Sequence, residues 1–286
     1  MLTLDPSDLA ALQPLYGVIF LFKYPTDQPY ATAEGPVDGA FDHKVSEKLF
    51  FAAQTIQNAC ATQALLSVLM NKVDSVEIGQ NLRGFREFTM VLPPEFRGEA
   101  LSNSDLIREV HNSFARSSPF ADETQRPDAE AEDAFHFIAY TPVNGTLYEL
   151  DGLQPAPITH GACTQENFPQ KVVDVLQKRV ARYEDSEIRF NLLAMCRDLR
   201  IRAQEFADDD LLEREERKRK EWHFENALRR HNFVSFAGEV LKGVMVNKLQ
   251  AGGDEAVKKW IDESLQRRVA AAKAMQRGDG DIQMDH

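Results

Sequence analysis

Two hydrophobic patterns alternate along the first part of the chain. Residues 16–22 are an almost continuous apolar run, which predicts a strand with both faces covered by the rest of the protein. Alternating polarity and flanking turn residues predict further strands at residues 135–140, 146–150 and 187–194. Helical periodicity predicts helices at residues 45–53, 60–71, 103–117 and 165–183. We therefore predict an α/β or α+β domain with a central sheet flanked by helices, ending near residue 199.

The pattern changes beyond residue 200. Residues 211–230 mix Glu with Arg and Lys, which predicts an exposed helix with many ion pairs. Residues 232–249 carry an apolar stripe that a lone helix could not bury, and residues 255–277 are predicted as a further amphipathic helix. The tail from about residue 278 has the composition of a disordered segment.

Two interpretations of this C-terminal region remain open. The helices either close on themselves as a hairpin or present their apolar stripes to another protein. The position of the region at the end of the chain favours docking. We therefore predict a catalytic domain over residues 1–199 and a helical extension for partner docking over residues 200–286.

Composition narrows the class of protein. The net charge of -12 argues against general nucleic-acid binding, and three irregularly spaced cysteines argue against a disulfide framework. No metal-ligand spacing or nucleotide-binding motif appears, so no cofactor is predicted. The sequence has neither a secretory signal at its start nor an apolar run long enough to span a membrane. These features predict a protein of the cytoplasm and nucleus.

Two segments are predicted as loops. Residues 25–42 contain three prolines and two glycines, and residues 121–133 carry six acidic residues and one basic residue. The acidic segment is either a solvated connection or a loop that faces the substrate. Its position before residue 136, where candidate chemistry begins, makes the second interpretation reasonable.

Cys60 is the candidate nucleophile. It opens the predicted helix at residues 60–71, and the unpaired backbone N–H groups and positive dipole of a helix N-terminus favour a thiolate over a thiol. The thiolate is the reactive form of cysteine. Position alone therefore indicates that Cys60 could react.

A predicted hairpin brings His136 and Asp151 together. Asn144 and Gly145 are a strong signal for a two-residue turn, which places His136 and Asp151 diagonally on one face, within about 7 Å of each other. Any loop with an even number of residues keeps this relationship. A three-residue loop would send Asp151 to the opposite face.

These residue types predict a thiol hydrolase. Cys60 would attack a carbonyl carbon, and His136 would take the thiol proton and later protonate the leaving amine. Asp151 would orient the imidazole. The backbone N–H of Cys60 and the side-chain amide of Gln54 would stabilise the oxyanion.

Each of these residues also has an ordinary structural interpretation. A cysteine at the start of a core helix is more often a small buried side chain, and a histidine within an aromatic strand is more often a core residue. Cys163 and Cys196 have no evident partner, and the histidines other than His136 are assigned structural or solvent roles because no hairpin supplies a carboxylate to them. Only the joint arrangement indicates catalysis.

Several stretches resemble a known family. QTIQNACATQ at residues 54–63, together with AFHF and YELDGL, closely resembles the ubiquitin carboxyl-terminal hydrolase family of cysteine deubiquitinases. LSNSDLIREVHNSFAR at residues 101–116, TPVNGTLYELDGL, EIRFNLLA and RRHNFVSF resemble its C-terminally extended, proteasome-associated branch. The resemblance covers nearly the whole chain.

The resemblance implies a papain-like domain and assigns roles to four residues. Gln54 helps form the oxyanion hole, Cys60 is the nucleophile, His136 is the general acid/base and Asp151 orients His136. It also implies cleavage of peptide or isopeptide bonds at the C-terminus of ubiquitin, with the acidic loop crossing the active site. The extension is then expected to bind a proteasomal ubiquitin receptor, and the protein is expected to join a chromatin-remodelling complex as well.

The chain departs from the family pattern at its start. Family members open with a strand, a helix and a second strand, and Met1 of this chain falls inside the second strand. The expected consequence is an unpaired sheet edge and uncovered apolar surface. Two alternatives to a ubiquitin hydrolase therefore remain: a non-catalytic adaptor of the proteasome or of a chromatin complex, and a hydrolase of another ubiquitin-like modifier.

Overall fold

A computed structural model describes residues 4–24, 31–32, 35–36, 38–56, 58–114, 135–184 and 187–278. Contacts divide these residues into two compact units, the first ending at Asn226 and the second beginning at Ala227. The acidic loop, residues 1–3 and the tail after residue 278 lie outside the described residues. The strand expected at the chain start does not extend through Leu4 and Asp5, because Asp5 caps a helix that begins at Pro6. The limits 1–199 and 200–286 for the catalytic domain and the extension stay a prediction.

The first unit is built on a six-stranded antiparallel sheet. Its strands lie in the order β4-β7-β6-β5-β1-β8. They are β1 (Leu15–Lys23), β4 (Ala40–Phe41), β5 (Phe135–Val143), β6 (Thr146–Leu150), β7 (Ile158–Ala162) and β8 (Asn191–Cys196), while β2 (Ala31–Thr32) and β3 (Gly35–Pro36) pair separately. The four predicted strands are present. Short β4 lies within the stretch predicted as loop, and β7 was not predicted.

Helices surround this sheet. In the first unit they are α1 (Pro6–Ala10), α2 (Cys60–Met70), α3 (Gly79–Met90), α4 (Pro94–Asn103), α5 (Asp105–Ser113), α6 (Phe168–Val180) and α7 (Leu199–Glu205), with α8 (Asp209–Arg230) continuing past its end. Three predictions in this unit are confirmed by α2, α5 and α6, although α5 and α6 are shorter than predicted. The prediction missed α3 and α4, although Leu82, Phe85 and Met90 of α3 pack on a common core cluster.

Strand β1 separates two hydrophobic cores. Val18 and Phe20 pack with Val172 and other residues of α6, whereas Ile19 on the opposite face packs with residues of α2 such as Val68. This arrangement confirms the prediction of a strand covered on both sides. It fixes α2, and therefore Cys60 at its first residue, against the centre of the sheet.

The predicted helix at residues 45–53 is wrong. Only Val45–Glu47 forms a short 3₁₀ turn, and the next residues run extended. Four consecutive residues, Leu49 to Ala52, are buried, which a helix with one apolar face could not achieve. Side chains satisfy the backbone instead: Phe50 N–H donates to Oδ1 of Asn71 at 2.7 Å, and Asn71 Nδ2 donates back to the Phe50 carbonyl at 2.8 Å.

Two predicted element limits were also wrong. The prediction joined residues 103–117 into one helix, but Ser104 interrupts it and caps α5, with its Oγ accepting from Ile107 N–H at 3.4 Å. The last strand was predicted at 187–194, yet β8 is Asn191–Cys196. Glu187 and Arg189 form a local salt bridge ahead of the strand.

The second unit is helical. The end of α8 leads into α9 (Val234–Gly278), in which Gly252 and Gly253 have non-helical backbone angles, so two helical segments follow one another. The predicted helices at 232–249 and 255–277 are therefore confirmed. Their apolar side chains include exposed Phe236, Leu241 and Leu265.

Candidate active site

Cys60 is the first residue of α2 and is half-buried. Burial raises the pKa of its thiol, but hydrogen bonds from the His136 side chain and from the backbone of Phe137, followed by the charge of His136 and the backbone of Ala61, outweigh this effect. The net pKa of Cys60 is therefore lower than that of an ordinary cysteine. The contribution of Ala61 is the one expected at a helix N-terminus.

His136 and Asp151 form a buried pair. Nε2 of His136 lies 2.7 Å from Oδ1 of Asp151, and the exposed fractions of the two side chains are 5% and 0%. Because Asp151 occupies Nε2, the ring nitrogen left for Cys60 is Nδ1. The predicted neighbours are therefore in direct contact, because diagonal positions on one face lie within reach of such side chains.

The hairpin that produces this pair has the predicted register. Asn144 and Gly145 have φ values of 50° and 79°, and Val143 pairs with Thr146. Two residues with positive φ define the turn whose twist suits a two-residue hairpin. The even loop keeps His136 and Asp151 on one face, as the sequence predicted.

Backbone and side-chain donors hold the Asp151 carboxylate in place. Oδ1 also accepts from Leu153 N–H at 3.0 Å, and Oδ2 accepts from Gln154 Nε2 at 3.5 Å. These donors come from the turn directly after β6. The carboxylate is therefore fixed by its own loop before it meets His136.

Two aromatic rings enclose the His136 imidazole. Phe22 and Tyr24, from the end of β1, meet it edge to face with ring centroids 5.9 and 5.5 Å away. Burial lowers the pKa of His136, but the hydrogen bonds to Asp151 and Cys60 and their charges raise it to about 9. The site therefore favours an imidazolium beside a thiolate.

Gln54 lies in the extended segment before α2. Its backbone N–H donates to the Gly152 carbonyl at 2.8 Å, which ties this segment to the turn that carries Asp151. Its side-chain Nε2 donates to the Ile56 carbonyl at 3.1 Å. In this state the Gln54 amide is thus held by its own loop.

Arg97 is a buried residue that the sequence interpretation missed. Its side chain is 2% exposed and its guanidinium donates to five backbone carbonyls, those of Leu49, Phe51, Thr89, Met90 and Leu92. It therefore holds the extended segment that leads to Gln54 against the end of α3. No local pattern around Arg97 signals this role, since it depends on the distant carbonyls of Leu49 and Phe51 as well as on nearby ones at the end of α3.

The remaining cysteines and histidines behave differently from Cys60 and His136. Burial raises the pKa of both Cys163 and Cys196, so neither thiol is activated.

The prediction that only His136 has a carboxylate placed by a hairpin was wrong, because His160 Nε2 lies 3.0 Å from Oε2 of Glu149 on the neighbouring strand. Glu149 also meets Arg179, which gives this second pair a place in a buried ion network.

Within the described residues, no group of three or more His, Cys, Asp or Glu side chains could hold a metal ion. The helices in the same part of the chain include none that is long and apolar enough to cross a membrane.

A cysteine at a helix N-terminus beside a buried His–Asp pair, on a sheet packed between helices, defines a cysteine hydrolase. The family model described as ubiquitin carboxyl-terminal hydrolase, family 1, matches residues 1–181. The chain belongs to this family. A second model, described as ubiquitin carboxyl-terminal hydrolases, matches residues 209–248, in the region of the helical extension.

Known proteins resemble most of the chain. Ubiquitin carboxyl-terminal hydrolase 2 of Schizosaccharomyces pombe is 45% identical over 255 residues, which are 86% of this chain and 82% of that protein. Ubiquitin carboxyl-terminal hydrolase isozyme L5 of Dictyostelium discoideum is 42% identical over 203 residues, 71% of this chain and 56% of that protein.

Solved structures agree with the fold. The Trichinella spiralis UCH37 catalytic domain bound to ubiquitin vinyl methyl ester is 36% identical, with a TM-score of 0.55, covering 68% of this chain and 82% of that one. Trichinella spiralis UCH37 bound to ubiquitin vinyl methyl ester is 31% identical, with a TM-score of 0.57, covering 80% of this chain and 87% of that one. The match to the second of these structures therefore covers more of this chain than the match to the catalytic domain alone.

Proposed function

We propose that this protein hydrolyses peptide and isopeptide bonds at the C-terminus of ubiquitin, with Cys60 as nucleophile. The observation that carries the proposal is the buried contact between His136 and Asp151, next to a Cys60 whose pKa is lowered by His136, in a chain of this family. In the relatives of known structure, ubiquitin vinyl methyl ester is the bound molecule. This supports ubiquitin as the substrate protein.

The chemistry follows from the protonation states. The Cys60 thiolate attacks the carbonyl carbon, and the oxygen of that carbonyl takes the negative charge. As the tetrahedral intermediate collapses, the C–N bond breaks and the His136 imidazolium gives its proton to the leaving amine. Neutral His136 then takes a proton from water, which attacks the thioester and releases the carboxylic acid and the Cys60 thiolate. Asp151 stabilises the imidazolium at both stages.

Oxyanion stabilisation falls to Gln54 and the backbone N–H of Cys60. Such a donor contributes about 3 kcal/mol to lowering the barrier. In the described state Gln54 Nε2 donates one hydrogen to the Ile56 carbonyl, and its second N–H is the one left for the oxyanion.

Covalent labelling tests the proposed reaction. Purified protein is treated with ubiquitin carrying a C-terminal vinyl methyl ester, and we expect one ubiquitin added per chain. Labelling should disappear in Cys60→Ala and persist in the control Cys196→Ala, because the pKa of Cys196 is raised. Absence of labelling in the unaltered chain would favour a non-catalytic adaptor. Labelling only by an electrophile made from another ubiquitin-like protein would favour that modifier as substrate.

We further propose that the helical extension docks on a proteasomal ubiquitin receptor, and that the protein acts in the cytoplasm and nucleus, where it also joins a chromatin-remodelling complex. The exposed apolar side chains Phe236, Val240 and Leu241 on α9 support a docking role, since a monomer gains nothing by leaving them in water. Such stripes on a helix are a common recognition surface.

Calorimetric binding to the purified receptor tests this docking. Phe236→Asp combined with Leu241→Asp should reduce affinity at least about a hundredfold, because two apolar anchors become charged. Ser235→Asp adds charge at an exposed neighbouring position and should leave affinity nearly unchanged. Equal affinity of all three proteins would exclude this surface, and fractionation of cells would test the two compartments.

A further inference from the structure

Gln63 is a buried polar residue close to the nucleophile, and the reaction scheme does not use it. It lies three residues after Cys60 on α2, and 8% of it is exposed. Its side-chain Nε2 donates to the backbone carbonyl of Ala52, in the extended segment that leads to Gln54. A polar side chain on the inner face of a core helix is costly unless it is hydrogen-bonded, so this contact accounts for its burial.

Gly152 meets Gln63 from the opposite side. It directly follows Asp151, and a Cβ added to it would lie 2.8 Å from Cδ of Gln63 and 3.0 Å from Cβ of Gln54. Its φ is not in the positive region that favours glycine, so close packing and not backbone conformation requires the missing side chain.

Three segments therefore meet at one side chain. Gln63 belongs to the helix of Cys60, touches the turn of Asp151 through Gly152, and binds the segment of Gln54 through Ala52. The Gly152 carbonyl completes the arrangement by accepting from the backbone N–H of Gln54 at 2.8 Å.

We propose that Gln63 and Gly152 form an interlock that fixes Asp151 and Gln54 relative to Cys60, so that both are positioning residues for the proposed hydrolysis. The catalytic consequence of this interlock rests on the proposed function. The packing of Gln63 against Gly152 is independent of it. Displacements of about 1 Å in such an arrangement can cost up to roughly a hundredfold in rate.

The first experiment uses a pair of complementary substitutions. Gly152→Ala places a methyl group against the Gln63 side chain, and we expect kcat on a fluorogenic ubiquitin C-terminal amide to fall between about tenfold and a hundredfold while KM changes little. Gly152→Ala combined with Gln63→Ala removes the obstructing amide. An interlock predicts that this double variant recovers part of the kcat lost in Gly152→Ala.

A second variant keeps the test valid if Gly152→Ala does not fold. Gln63→Met has a similar shape but no donor for the Ala52 carbonyl, so Asp151 and Gln54 should be held less firmly. We expect a lower kcat, with the alkaline limb of the pH profile moved to lower pH because Asp151 supports the His136 imidazolium less well. The controls are Gly84→Ala and Gln80→Met, both exposed on α3. They should retain the kcat and the pH profile of the unaltered protein.

Three outcomes overturn the interlock. They are a double variant whose kcat is no higher than that of Gly152→Ala, a Gln63→Met profile that matches the unaltered protein, and a loss of kcat in the control variants equal to that in the Gly152 variant. Thermal unfolding of each protein identifies variants that lose activity only because they are partly unfolded.

Alkylation of Cys60 by iodoacetamide separates this inference from the proposed function. Its pH dependence, followed on the Cys60 peptide by mass spectrometry, needs no ubiquitin. If the unaltered chain does not cleave ubiquitin but the alkylation midpoint still moves to higher pH in Gln63→Met, the interlock holds and the proposed function fails. If the chain cleaves ubiquitin and neither alkylation nor kcat responds to Gln63→Met, the interlock fails alone.

Discussion

Nε2 of His136 and Oδ1 of Asp151 lie 2.7 Å apart with both side chains almost completely removed from water. A charge-assisted hydrogen bond in such surroundings is strong, because little solvent competes with it. Together with Cys60, Asp151 raises the pKa of His136 to about 9 despite the burial that lowers it. The pKa of His136 therefore predicts how the rate of hydrolysis depends on pH.

The rate of hydrolysis should fall as the pH rises through about 9. The reactive state needs a Cys60 thiolate and a His136 imidazolium, and the raised pKa of His136 keeps its proton in place until that pH. In Asp151→Asn the pKa of His136 moves toward or below its ordinary value, so the imidazolium is lost earlier. We expect the alkaline limb of kcat/KM to shift to lower pH and kcat to fall about a hundredfold or more.

The matched control for this experiment is Asp174→Asn. Asp174 is exposed on α6 and accepts from Gln170 at 2.7 Å, so its charge does not reach His136 through a hydrogen bond. Its pH profile should match that of the unaltered protein. An unchanged alkaline limb in Asp151→Asn would show that another group controls the proton of His136.

Arg97→Lys should destabilise the protein by about 3 kcal/mol or more. A lysine ammonium cannot reproduce the planar fork that reaches acceptors on both sides of Arg97, so some of the five buried carbonyls lose their donor. Chemical denaturation measures the change in the free energy of unfolding. Arg83→Lys, at an exposed salt bridge with Glu77, should change it by less than about 0.5 kcal/mol.

Glu149→Gln should lower stability by about 3 kcal/mol. The carboxylate of Glu149 contacts both Arg179 and His160. The substitution removes its negative charge and leaves the buried guanidinium of Arg179 with less charge compensation. Thermal and chemical unfolding measure the effect. Glu87→Gln, exposed on α3, serves as the control. Equal stabilities of the two variants would mean that the network contributes no net charge compensation.

Gly145→Ala should cost about 1 kcal/mol. Gly145 has a φ of 79° in the hairpin turn, a region that an alanine enters only with steric strain. Gly84→Ala is the opposite case, because Gly84 lies in an exposed helix with open space around it and should become more stable by about 0.5 to 1 kcal/mol. Denaturation curves that move in the same direction for both variants would contradict this explanation.

Sequence-based predictions were correct where the structure depends on consecutive residues and wrong where it depends on contacts between separate segments. The turn at Asn144 and Gly145 and the alternation of side chains along the hairpin were sufficient to place His136 beside Asp151, because both depend on consecutive residues. In contrast, the extended course of Leu49 to Ala52 was predicted as a helix. Its backbone is satisfied by Asn71 and Arg97, and no sequence pattern near the segment indicates such donors.

The sequence by itself determined the central strand, the helix that begins at Cys60, the hairpin register and the family, since each depends on local periodicity, turn chemistry or a contiguous motif. Only the tertiary structure decided how Arg97 supports the segment before Cys60, how Gln63 meets Gly152, and that Glu149 joins His160 to Arg179. The physical reason is that a buried polar side chain must find partners wherever the fold brings them. Those partners lie on different structural elements, which local periodicity does not relate to one another.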